Sequence, residues 1–115
     1  MPTIIFSFKI STLSKMHSPY YSRDYRKDWL GWLELPPWKE GNSGNSVDYQ
    51  TFMFNHVKQQ QPSRILEIGF NAGHSACCFL NASPKAKMVT FDICRWGMEA
   101  EALAILQKYF DIDLI

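Results

Sequence analysis

The stretch Ile65-Leu-Glu-Ile-Gly-Phe-Asn-Ala-Gly-His-Ser-Ala76 decides the fold. Its first part, with Arg64 in front, is a short apolar run with β-branched residues, held between Pro62 and Gly69. That pattern reads as a buried strand. Gly69 permits a tight turn, and a helix starts near Gly73, where a missing side chain lets the helix pack closely or a ligand approach the backbone. In open α/β sheets such a turn, at the carboxyl end of a parallel strand, is where nucleotide-like ligands sit.

Working outward, Gly73 to Leu80 reads as a helix closed by Asn81-Ala-Ser-Pro84, and Lys87 to Ile93 as a second strand. Met98 to Phe110 is the clearest helix, because Met98, Ala102, Ile105, Leu106, Tyr109 and Phe110 fall on one face. Glu99 and Glu101 stand near its start and Lys108 near its end, as the helix dipole favours. Asp111-Ile-Asp-Leu-Ile115 begins a third strand. The order β-α-β-α-β predicts an α/β fold, a parallel Rossmann-like sheet with right-handed crossovers and flanking helices.

Upstream, Ser46 is placed to cap a helix over Val47 to Gln60, which Pro62 ends. Gly41-Asn-Ser-Gly-Asn-Ser46 is a loop, and residues 1–46 form an aromatic-rich extension whose structure the pattern does not define. Met1 to Ser11 lacks a basic start and a cleavage site, so it reads as part of the fold rather than a secretion signal. Residues 47–115 then make a partial domain, an open sheet ending at its third strand. The first of these strands, Arg64 to Gly69, is expected at an exposed edge, open to self-association or to a complementary chain.

Composition narrows the function classes. Twelve Lys and Arg against eleven Asp and Glu leave +1, and 46% apolar with 20% charged residues is a globular balance rather than a disordered one. No apolar run reaches the roughly 20 residues that span a bilayer, so no membrane role is expected. From Lys15 to Glu40 the aromatics are interleaved with five cations and four anions. Without a positive groove, nucleic acid is not the expected partner. Cys77, Cys78 and Cys94 cannot pair completely, and no second cysteine cluster or paired His17, His56 or His74 makes a metal site. Free thiols fit a reducing, cytoplasmic setting. Cys77 and Cys78 read as small core residues, and His74 as a surface residue at a helix start.

Asp92 closes the second strand 19 residues after Gly73, near the spacing of about 20 at which an acid grips a ribose diol. The dinucleotide fingerprint is absent, since Asn71 and His74 stand where it needs glycine. Glu67, two residues before Gly69, would repel a pyrophosphate but suits a ligand carrying sulfonium and ammonium groups.

Leu66-Glu-Ile-Gly-Phe-Asn-Ala-Gly-His-Ser75, followed by Val89-Thr-Phe-Asp-Ile93, resembles the first two motifs of class I S-adenosylmethionine-dependent methyltransferases, in the small O-methyltransferase-like branch. The resemblance covers residues 47–115 and implies S-adenosyl-L-methionine as cofactor. On this resemblance Glu67 shapes the methionine end of the pocket, Gly69, Asn71 and Gly73 give backbone approach, and Ser75 helps hold the methionine carboxylate. Asp92 accepts from both ribose hydroxyls and Ile93 lies against the adenine. The family's catalytic base, metal-binding acids and acceptor pocket follow the third strand, so no catalytic residue is assigned and no metal is expected. This chain alone is expected to lack turnover on its unidentified acceptor. A non-catalytic cofactor-binding or assembly module is the alternative, and an NAD- or nucleotide-binding domain a more distant one.

Overall fold

The computed structural model describes residues 3–7, for their backbone, and residues 25–37, 47–93 and 97–115. Four strands, β1 (Thr3–Ser7), β2 (Arg64–Ile68), β3 (Lys87–Phe91) and β4 (Asp111–Leu114), form a parallel sheet in the order β1-β2-β3-β4. Three helices, α1 (Val47–Gln60), α2 (His74–Ala82) and α3 (Glu99–Gln107), lie between them in sequence. This is a small α/β domain compatible with a Rossmann-like fold.

Side chains alternate across each strand. Ile65, Glu67, Met88, Thr90 and Ile112 are buried, whereas Arg64, Ile68, Lys87, Phe91, Asp111 and Asp113 are exposed. The apolar members of the buried set join one core with Tyr49, Met53 and Val57 of α1, Ala76 to Leu80 of α2, and Ala102, Ile105 and Leu106 of α3. The strands advance in one direction across the sheet, so right-handed crossovers bring the helices to the same face. Among the described residues no helix covers the other face.

The sequence expectation of an exposed edge at β2 is corrected. Thr3–Ser7 pairs with Arg64–Ile68 along its full length, Thr3 opposite Arg64 and Ser7 opposite Ile68. Central strands gain hydrogen bonds on both sides, and a β-branched N-terminal pentapeptide supplies them here. The Met98 to Phe110 helix is also shorter than its apolar stripe. It closes at Gln107, and the amides of Tyr109 and Phe110 return to the Leu106 carbonyl, turning the chain into β4. The predicted cap Ser46, the loop 41–46, Cys94 and His17 lie outside the described residues.

The segment 25–37 packs one side against the helices and leaves Tyr25, Leu30 and Leu33 exposed on the other. Trp29 stacks on Phe54 of α1 at 5.1 Å, and Trp32 meets His74 of α2 edge-on at 4.9 Å. The Leu30 amide donates to Asn81 Oδ1 (2.8 Å) and Asn81 Nδ2 donates to the Leu30 carbonyl (3.1 Å). Leu35 reaches the core, and Glu34 accepts from Lys108 Nζ (2.6 Å) and from the Tyr109 hydroxyl beyond α3. Two of the tryptophans in the aromatic stretch are therefore engaged in packing. Their ring contacts are with the fold itself.

Candidate functional site

The turn after β2 is built from alternating left-handed residues. Gly69, Asn71 and Gly73 have φ of 95°, 54° and 84°. Glycine enters this region without penalty, and asparagine is one of the few other residues that tolerates it. The two glycines serve different needs. A Cβ at Gly69 would meet nothing within 4 Å, so its role is conformational. A Cβ at Gly73 would lie 3.2–3.3 Å from Phe70, Ala102 and Leu106, so there the absent side chain also lets α3 close on the turn.

The turn and the strand-end acid meet directly. The Asn71 amide donates to Asp92 Oδ2 at 2.7 Å, and the Gly69 amide donates to the Phe91 carbonyl at 2.7 Å. Asp92 is half-buried just past β3. Thus the fold joins two segments that the sequence separates by about twenty residues, on the carboxyl side of the sheet where open α/β folds hold ligands.

Glu67 sits deeper, 0% exposed, facing the helices. Thr90 donates from Oγ1 to Glu67 Oε1 at 2.9 Å, while Oε2 is buried with no hydrogen-bond partner among the described residues. Burial pushes its carboxyl up to about 8, against the pull of the Thr90 hydrogen bond and with a further push from Asp92. Near neutral pH the side chain is therefore largely protonated. Asn71 Oδ1 is likewise buried without a partner. The site thus offers the Asn71 amide oxygen as an acceptor and the half-buried side chain of Asp92, above a Glu67 carboxyl that is largely neutral at this pH. That set suits a ligand that brings hydrogen-bond donors.

Of the remaining expected residues, Ser75 is buried in the first turn of α2 and Ile93 is 85% exposed. Glu67, Gly69, Asn71, Gly73 and Asp92 are brought to one end of the sheet; Ile93 projects into solvent.

His74 corrects its sequence reading. It is buried, and burial together with Arg26 pulls its pKa down to about 4, so the ring is neutral at pH 7. The missed signal is the pairing of His74 with the tryptophan-rich segment, since Arg26 lies 4.7 Å over the Trp32 ring that meets the histidine edge-on. Cys77 and Cys78 are buried free thiols, with Cys77 pushed up to about 12 and Cys78 also raised by desolvation, so neither is a ready thiolate. Among the described residues no three His, Cys, Asp or Glu side chains converge on a metal position, and no helix is long and apolar enough to cross a membrane. No protein-family model matches the chain, and no curated protein matches it either.

Proposed function

We propose that this chain carries the cofactor-holding part of an S-adenosylmethionine-dependent methyltransferase, transferring a methyl group to an acceptor the site does not identify. The observation that carries the reading is the junction of the left-handed turn with Asp92, above a buried, half-satisfied Glu67. The cofactor supplies an activated methyl on a sulfonium. Asp92 would accept from its ribose hydroxyls, the turn backbone would lie against it, and the Asn71 amide oxygen would accept from its ammonium end. Ser75 and Ile93 are assigned by resemblance alone. A pyrophosphate would meet the Asp92 carboxyl at the turn and no glycine at 71 or 74, which argues against NAD.

Calorimetric titration tests this. S-adenosylmethionine or its demethylated product is expected to bind more tightly than NAD, and tighter NAD binding would overturn the reading. Asp92→Ala removes charge-assisted hydrogen bonds worth roughly 1.5–3 kcal/mol. It should weaken cofactor binding about 10- to 100-fold. Asp92→Asn, which keeps an acceptor for the Asn71 amide, should fall between. Unchanged affinity in a folded Asp92→Ala protein would return Asp92 to a purely local role in the turn.

A further inference from the structure

The face of the sheet turned away from the helices carries a second feature, which runs from the start of β2 and β3 up to the residues that precede the glycine turn and Asp92. On β2 and β3 its side chains pair in rows: Arg64 opposite Lys87, Leu66 opposite Val89, Ile68 opposite Phe91. An open groove of about 400 Å³ is lined by Arg64, Ile65, Leu66, Lys87 and Val89. Leu66 and Val89 are half-buried and stand outside the core on the helical side, while Ile68 and Phe91 are 52% and 38% exposed. Parallel sheets are ordinarily covered on both faces, because their strands carry apolar side chains on both.

The charges say what kind of cover fits. Arg64 and Lys87 are exposed at the start of their strands, and neither makes an ion pair or side-chain hydrogen bond among the described residues. Beside them on β4, Asp111 and Asp113 face the same way. The apolar rows are thus bounded by cations at one end and by carboxylates along one flank.

We propose that this face docks an amphipathic helix of a partner protein, its apolar stripe over Leu66, Val89, Ile68 and Phe91 and acidic side chains at the end that lies over Arg64 and Lys87. Three rows spaced two residues apart run about 13 Å along the strands, close to the 11 Å covered by two helical turns. Asp111 and Asp113 repel an acidic residue placed along the β4 flank, which fixes the orientation of the helix.

Fluorescence anisotropy on the full chain tests this with two labelled, stapled helices sharing one leucine stripe, one ending in glutamates and the other in lysines. The glutamate helix should bind at least tenfold more tightly, with saturation. Arg64→Glu combined with Lys87→Glu changes only exposed positions, and should reverse that order while the thermal melt stays put. Equal binding of the two helices, no saturable binding, or an order unchanged in the double variant would overturn the proposal. So would a concentration-dependent dimer in sedimentation that Val89→Asp abolishes, since a second copy of this chain would then be the cover.

Discussion

At pH 8, Glu67→Gln is expected to unfold at a higher urea midpoint than the wild type. Moving a carboxyl from 4.5 to about 8 on folding costs on the order of 5 kcal/mol once the unfolded chain is ionised. The sign follows from which state loses its proton first. Below about pH 4.5 both states hold the proton and the penalty is absent. As pH rises from there to about 8 the unfolded chain ionises while the folded one does not, so stability falls; above 8 it levels off. Glutamine has no such slope. It must also seat an amide nitrogen near Oε2, which offsets part of the gain by roughly 1–3 kcal/mol. A net stabilisation of about 2–4 kcal/mol at pH 8, shrinking toward zero at pH 4, is the expected result. Parallel stability profiles for both proteins would show that Glu67 ionises as freely in the fold as in water. If the proposed cofactor reading holds, the same substitution weakens cofactor binding, the exchange of stability for function that buried acids at binding sites display.

Gly73→Val should lower stability by about 2–5 kcal/mol. Part of that is the left-handed conformation, which costs a residue with a Cβ roughly 1–2 kcal/mol. The rest is overpacking, about 1–3 kcal/mol, since the new carbon meets Phe70, Ala102 and Leu106 at 3.2–3.3 Å and two of these contacts belong to α3. Gly69→Ala is the control. It has the same backbone demand but open space for its methyl, so only the conformational share, about 1–2 kcal/mol, should appear in chemical denaturation. Equal losses at the two positions would place the whole effect in the backbone and none in the packing of α3.

Much of the central unit was legible because its punctuation is local. Pro62, Gly69, the Asn81-to-Pro84 stop and the apolar stripe of 98–110 mark strand and helix within a few residues of each boundary. Asp92 was legible by its distance from Gly73, and the hydrogen bond to Asn71 is the contact that distance prepares. What sequence did not disclose depends on partners far along the chain. Thr3-Ile-Ile-Phe-Ser7 has no local feature naming β2 as its neighbour. The burial of His74 follows from Trp32 and Arg26, which stand more than forty positions earlier. For Glu67 a signal was present, since a period of two places it on the same face as Ile65. A charged side chain ordinarily favours solvent, but here the strand period decides its burial.

The β1–β2 pairing also sets an order of assembly. Strands β2, β3 and β4 meet neighbours fewer than 25 residues away, whereas Thr3 finds Arg64 only after roughly 60 residues have intervened. Closing the longer loop costs more chain entropy, so the local β-α-β-α-β unit gains its contacts first. On a ribosome β1 is made before the other three strands and is then seated after them, waiting through the synthesis of the segment that will receive it. During that wait the edge of β2 is unpaired. The N-terminal pentapeptide thus acts as a closing latch, shielding in the finished fold an edge that is open while the fold is being made.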